Sequence, residues 1–256
     1  MPPHPSLSPL GRGLRWGVKV FVVIQNPWFE TIINENLLSH KKARLKCRIT
    51  KYQKGDVILN IGILGGSFDP PHFGHIFLCH YALESTEIEK VLIVPCFNHP
   101  FNKPLSTFEH RFNMCQLAFE IFSNSVEVTD IEKELGGISY SINTIKYLKN
   151  THPDNQYFFL IGSDVLKDTS KWKNFEVIKS LVKIIIFHRI GSADVSSALL
   201  EQARCLRYKS GDEIIQASLP DTSSELIRTL VKQNKSIQFL TTNKIIDYIK
   251  NNKLYK

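Results

Sequence analysis

No two of the five cysteines (Cys47, Cys79, Cys96, Cys115 and Cys205) form a C-x-x-C pair, and their number is odd. That pattern argues against a disulfide framework or a zinc site and suits reduced thiols packed as small hydrophobes. Long apolar runs are missing as well. The longest early candidate, Val18 to Ile24, is short, is interrupted by Lys19 and is followed by no small-residue cleavage site. Neither a signal peptide nor a membrane anchor is expected, and the chain reads as cytoplasmic. Acidic residues are scarce at one end only: residues 1–56 hold ten Lys or Arg against three Asp or Glu, leaving 22 against 21 for the remainder, so the net charge of +8 is concentrated in the opening segment. The cluster Lys41, Lys42, Arg44, Lys46, Arg48 and Lys51 could touch an acidic polymer, but a solvated basic tail is the simpler account, and no nucleic-acid partner is expected. No internal repeat is visible.

At 256 residues and 43% hydrophobic content, the chain can bury one substantial core. We expect a basic, weakly structured N-terminal extension over 1–56, with Val57 an alternative initiator, and one domain over 57–256. From Val57 onward apolar runs alternate with amphipathic ones. Strands are predicted over Val57 to Leu64, Val91 to Pro95, Val126 to Asp130, Tyr157 to Ile161 and Val182 to Phe187, and helices near 74–86, 107–122, 139–150 and 171–180. The stretch from Gly191 to Gly211 suggests only loop and helix. The rhythm is that of an α/β fold, a Rossmann-like parallel sheet with helices on both faces. Ligands of such sheets sit beyond the carboxyl ends of the strands, where His72, Lys103 and Asp164 would fall.

The most informative segment is Gly62 to His75, GILGGSFDPPHFGH. A buried strand leads into Gly65-Gly66, where a turn is expected, and Pro70-Pro71 ends the loop before His72-Phe73-Gly74-His75 opens a helix beginning near Gly74. The two imidazoles stand three positions apart, which places them on one helical face, at an end whose free amides and dipole favour an anion. Glycines after a strand also serve plain turns, and paired histidines also arise by chance. A second such place is Asp221-Thr222-Ser223-Ser224-Glu225-Leu226-Ile227-Arg228, where Thr222 or Ser223 can cap a helix running to about Gln233 with Arg228 one turn along. Its ordinary alternative is a capped surface helix. His99 and Cys96 lack partnering ligands, and no metal site is expected.

The first run resembles the signature of the HxGH nucleotidyltransferase superfamily, in the GGSFDPPH version of the nicotinate-nucleotide adenylyltransferases. Further along, Pro100-Phe101-Asn102-Lys103 resembles that family's P-P-H-K, with Asn102 where histidine is usual. Ser139-Tyr140-Ser141-Ile142-Asn143-Thr144 resembles S-Y-T-x-D-T, with Asn143 for aspartate. Ile161-Gly162-Ser163-Asp164 with the later Ser170-Lys171-Trp172-Lys173 resembles I-G-x-D and its tryptophan. Ser223, Ser224, Ile227 and Arg228 match I-S-S-T-x-I-R, with Glu225 for threonine, and Asn243 to Tyr255 is similar to the final helix. The likeness covers nearly all of 57–255.

The resemblance implies adenylyl transfer from ATP to nicotinate mononucleotide, giving deamido-NAD and pyrophosphate, with Mg2+ travelling on ATP. His72, His75, Lys103 and Arg228 would then be catalytic. Gly65, Gly66, Ser67, Phe68, Gly74, Asp164, Ser223 and Ser224 would bind ATP, and Ser141, Trp172 and Lys173 nicotinate mononucleotide. Read alone, Trp172 could equally be a core aromatic and Lys103 a solvated loop residue. Oligomeric state stays open. Competing readings are an adenylyltransferase acting on phosphopantetheine, a nucleotide-binding regulator without chemistry, and a class I aminoacyl-tRNA synthetase fragment. The last is disfavoured by the lack of a K-M-S-K-S loop.

Overall fold

The computed structural model describes residues 58–256 apart from 164, 166–168, 170, 190–212 and 218. The predicted extension over 1–56, the weakly read stretch 191–211 and the predicted ATP contact Asp164 therefore lie outside the described residues.

Among the described residues, six strands form one parallel sheet in the order β3-β2-β1-β4-β5-β6. They are β1 (Asn60–Gly66), β2 (Lys90–Pro95), β3 (Val126–Val128), β4 (Gln156–Gly162), β5 (Lys183–Arg189) and β6 (Glu213–Ala217). The order reverses direction between β1 and β4, the switch point at which doubly wound sheets open a crevice. The helices are α1 (Phe73–Ser85), α2 (Phe108–Phe119), α3 (Ile131–Leu135), α4 (Ser141–Thr151), α5 (Phe175–Leu181), α6 (Ser224–Lys232) and α7 (Asn243–Asn251).

Strand alternation divides the apolar residues cleanly between two cores. Val91, Ile93, Phe158, Leu160, Ile185 and Phe187 face α1, α2, α6 and α7, contributing to a core with Cys79, Met114, Ile227 and Ile245. Their neighbours Ile61, Ile63, Leu92, Phe159 and Ile184 face the other way, packing on Ile131, Ile142, Ile145 and Ile178 of α3, α4 and α5. Burial on both faces is why these strands read as continuous apolar runs.

Several local expectations change, while the start of α1 falls within one residue of the expected place. Gly65 and Gly66 do not turn: they end β1, in register with Val94 and Pro95 of β2. The turn follows at Phe68, whose backbone is left-handed (φ 50°). Helix α1 starts at Phe73, with His72 as its N-cap. Helix α5 starts at Phe175 rather than 171, because Asn174 adopts the left-handed conformation (φ 57°, ψ 42°) and breaks the helix there, leaving Trp172 and Lys173 in the preceding loop. The short β6 and α3 were not anticipated.

Candidate active site

The N-terminal end of α1 is built by its own sequence. As N-cap, His72 has extended backbone (φ −144°, ψ 172°), and its main-chain N–H donates to Nδ1 of His75 at 3.3 Å, so the two histidines form a reciprocal cap. Their rings lie 3.8 Å apart, centroid to centroid, and the buried Phe68 ring packs on His75 at 4.8 Å. Gly74 makes this possible: a Cβ there would lie 2.9 Å from both Cε1 and Nδ1 of His72, closer than any side chain tolerates. At Gly65, by contrast, a Cβ would meet nothing within 4 Å, so open space flanks the end of β1.

Helix α6 brings the distant element to the same loop. Ser223 caps it by accepting from the Leu226 N–H at 3.1 Å. Ser224 donates its hydroxyl to the Pro70 carbonyl at 2.7 Å, and Arg228 donates from Nη1 to the Asp69 carbonyl at 2.8 Å. Buried Thr222 stands beside Gly74, and among the described residues its hydroxyl has no hydrogen-bond partner. Below it, Thr241 donates to the Pro71 carbonyl at 2.9 Å and Leu240 accepts from Phe73 N–H at 3.0 Å. Two helix N-termini thus share one loop, with two imidazoles and a guanidinium around it. Glu225, the acidic departure from the resembled motif, is exposed.

Arg111 joins this loop to the rest of the site. Its side chain is 1% exposed, and its guanidinium donates to the carbonyls of Ser106 (2.9 Å), Ser67 (3.0 Å) and Phe97 (3.4 Å). Lys103 is exposed and lines a cavity of about 700 Å3 together with Arg111, His99, Ser106 and Ile138. A second cavity of about 610 Å3 opens at the amino ends of the strands, beside Leu59, Lys90 and Tyr157, and contains none of the predicted residues. The carboxyl ends, where ligands of such sheets bind, are the relevant side.

Ser141, Trp172 and Lys173 form a neighbouring group. Ser141 opens α4, whose N-cap Tyr140 makes no side-chain cap hydrogen bond. The Lys173 ammonium sits 4.3 Å above the Tyr140 ring. Trp172 is half-buried and meets Phe159 and Phe175 edge to face at 5.6 and 5.7 Å. This group connects to the loop before His72 through Ser139, whose hydroxyl accepts from the Phe97 N–H at 2.9 Å, while the Phe97 carbonyl accepts from Arg111, which also holds the Ser67 carbonyl. Asn143 is exposed on α4.

Burial governs the titratable groups at this rim. Glu132 is held above the ordinary carboxyl range by burial, partly offset by hydrogen bonds from Ser139, the Phe97 N–H and Thr144. Burial, followed by the charges of Lys103 and Arg111, pushes His99 down. Cys96 is raised to about 11, first by burial and then by Glu132, so it is a thiol rather than a thiolate nucleophile. Among the described residues, no group of three or more His, Cys, Asp or Glu is arranged to hold a metal ion, and no helix is long and apolar enough to cross a membrane.

Sequence reasoning missed Arg111, Glu132 and the buried carboxylate of Asp69. For Arg111 a signal existed: it stands on the apolar stripe of α2 with Phe108, Cys115 and Ala118, where an arginine is out of place unless its donors are satisfied.

The family model described as cytidylyltransferase-like matches residues 63–246. A protein of Clostridium botulinum (strain Kyoto / Type A2) named "Probable nicotinate-nucleotide adenylyltransferase" is 33% identical over 203 residues, covering 78% of this chain and all of that one. One of the same name from Anaeromyxobacter sp. (strain K) is 30% identical over 199 residues, covering 77% and 96%. The structure of Plasmodium falciparum nicotinic acid mononucleotide adenylyltransferase complexed with NaAD superposes with a TM-score of 0.65 at 24% identity, over 77% of this chain and 97% of that one, a likeness of fold. The chain accordingly belongs to the cytidylyltransferase-like family, among its nicotinate-nucleotide adenylyltransferases.

Proposed function

We propose that the chain joins the 5′-phosphate of nicotinate mononucleotide to the α-phosphorus of ATP, forming deamido-NAD and releasing pyrophosphate, a step of NAD biosynthesis. The observation that carries this reading is the attachment of α6 to the loop before α1, through Ser224 to Pro70 and Arg228 to Asp69. A triphosphate lying there would meet two sets of helix N–H donors at once.

The nucleophile is a phosphate oxygen, already ionised near neutrality, so no general base is required. One P–O bond forms at the α-phosphorus, the bond to the bridging oxygen of the leaving pyrophosphate breaks, and its electron pair leaves with that oxygen. Repulsion between two polyanions and charge gathering on the leaving group oppose the step, and positioned donors relieve both. In this reading His72 and His75 donate to phosphate oxygens at the start of α1, while Arg228 and Lys103 hold the β and γ groups. Gly65 leaves room at the end of β1, and Ser67, Phe68, Gly66, Gly74, Ser223 and Ser224 shape the ATP cradle. Asp164 keeps its ATP role as an expectation from resemblance. Ser141, Trp172 and Lys173 receive the pyridine nucleotide. Magnesium enters as MgATP, since the triphosphate and water supply oxygen ligands of the kind Mg2+ prefers.

The domain boundary near residue 57, a cytoplasmic location among soluble nucleotides and the absence of a nucleic-acid partner belong to the same proposal. They are supported by the span of the family match and the confinement of surplus charge to 1–56. The test is pyrophosphate release with MgATP and, in turn, nicotinate mononucleotide, nicotinamide mononucleotide and phosphopantetheine. Release is expected fastest with the first. Release with phosphopantetheine alone would overturn the substrate, and release with none would point to a regulator.

A further inference from the structure

The C-terminal end of the chain reaches the phosphate loop. After α7 the backbone turns back through two left-handed residues, Lys253 (φ 52°) and Tyr255 (φ 61°), an uncommon conformation for side chains of this size. Hydrogen bonds hold this turn: Lys253 N–H to the Lys250 carbonyl at 3.2 Å and Leu254 N–H to the Ile249 carbonyl at 3.0 Å. The result is that the Tyr255 hydroxyl donates to Oδ1 of Asp69 at 2.6 Å.

Asp69 is 1% exposed, and its carboxylate also accepts from the Ser106 N–H at 3.1 Å and from the Ser106 hydroxyl. One buried carboxylate therefore binds three segments: the loop that ends at His72, the Lys103-to-Ser106 loop and the chain terminus. The carbonyl of the same residue takes Arg228. Burial, and next the facing Asp69 carboxylate, raise Tyr255 well above the usual tyrosine range, so it stays a donor across the working pH of an enzyme. A buried carboxylate that loses a donor becomes costly and relaxes toward water or toward a substitute partner.

We propose that Tyr255 is a positioning residue for adenylyl transfer: by holding Asp69 it sets the loop from Ser67 to His72 in the shape that receives the triphosphate. Its hydroxyl is committed to Asp69, and it acts through that carboxylate. The role rests on the reading given under Proposed function.

The test compares wild type, Tyr255→Phe and Tyr248→Phe in steady-state assays with MgATP and nicotinate mononucleotide, with thermal unfolding followed in parallel. Tyr248 is the control: its hydroxyl meets His110 at 3.0 Å and Asn113 at 3.2 Å on α2, and makes no bond to Asp69. Tyr255→Phe is expected to lower kcat/KM for ATP about tenfold, the scale of one hydrogen bond to a charged group, through a rise in KM. KM for nicotinate mononucleotide should stay within about twofold of wild type, and Tyr248→Phe should resemble wild type in both constants. An unchanged KM for ATP in Tyr255→Phe overturns the proposal, as does a fall in kcat alone that tracks lost folded protein. If Tyr255→Phe does not fold, Ser106→Ala carries the test. It removes another donor to the same carboxylate and must also raise KM for ATP, and an unchanged value there overturns the proposal. If wild type releases no pyrophosphate, the functional reading fails separately, and the latch is read from MgATP calorimetry, where equal Kd for wild type and Tyr255→Phe overturns it.

Discussion

Arg228 and Asp69, 159 residues apart in sequence, meet through a 2.8 Å hydrogen bond from the guanidinium to the main-chain carbonyl. One arm of the arginine is thereby fixed to the loop that precedes His72, which orients the guanidinium fork at the head of α6. Arg228→Lys keeps the charge but loses the fork, so it cannot both hold the carbonyl and meet a phosphate in the same geometry. Expected is a rise of about tenfold or more in KM for ATP, with KM for nicotinate mononucleotide little changed. Steady-state kinetics varying each substrate separately decides the matter; equal rises in both constants would count against a role confined to ATP.

Gly74→Ala should reproduce His72→Ala with both imidazoles still present. The added methyl would press on the His72 ring at 2.9 Å, and the ring must swing away from the start of α1. Both variants are expected to lower kcat by about two orders of magnitude, the effect of removing one preoriented donor. Circular dichroism should show that helix content is retained. Near-normal turnover in His72→Ala would discard the role given to that imidazole.

Trp172 has one side committed to protein, against Phe159 and Phe175, and is only half-buried. A ring so held offers its remaining surface for stacking at little entropic cost. Trp172→Leu should raise KM for nicotinate mononucleotide by about tenfold, the scale of one aromatic stacking contact, and leave KM for ATP unchanged. Unchanged affinity for nicotinate mononucleotide would make Trp172 a core aromatic only.

The parts of this site that sequence made legible are those with local pattern. Strands β1, β2, β4 and β5 were evident because burial on both faces demands unbroken apolar runs, and the histidine pair because it lies within four residues. β6 escaped because five residues, EIIQA, carry too little period to separate strand from loop. The start of α5 was misplaced because Asn174 adopts a conformation that propensity does not announce. Least legible were contacts between remote residues: nothing near Tyr255 indicates a partner 186 positions away, and nothing near Asp69 indicates that its carboxylate is buried.

Arg111→Leu tests the buried guanidinium that links three loops. The substitution leaves the carbonyls of Ser67, Phe97 and Ser106 without that donor, and hydrogen bonds to a charged group contribute about 1.5–3 kcal/mol each at most. With partial compensation by water, a loss of about 3 kcal/mol is expected, lowering Tm by roughly 6–12 °C for a domain of this size. Calorimetry of the unliganded protein would measure it. A change below about 2 °C would show that the three contacts contribute little to stability.

Glu132 gives the site a pH signature whose sign follows from burial. Its carboxyl is held above the ordinary value of 4.5 in the folded chain, so the folded state binds the proton more tightly than the unfolded state. The contribution is therefore most favourable at low pH and is lost as pH rises from about 4.5 through the higher folded value, with a slope of at most about 1.4 kcal/mol per pH unit. Above that window it levels off, because both states are ionised. Glu132→Gln removes the titration, although it also disturbs the bond from the Phe97 N–H, a loss that does not depend on pH. Urea unfolding of both proteins at a series of pH values above 4.5 should show the stability of wild type falling relative to the variant and then running parallel to it. If the difference stays constant across the series, the carboxyl titrates alike in both states, and burial does not control the charge at this rim.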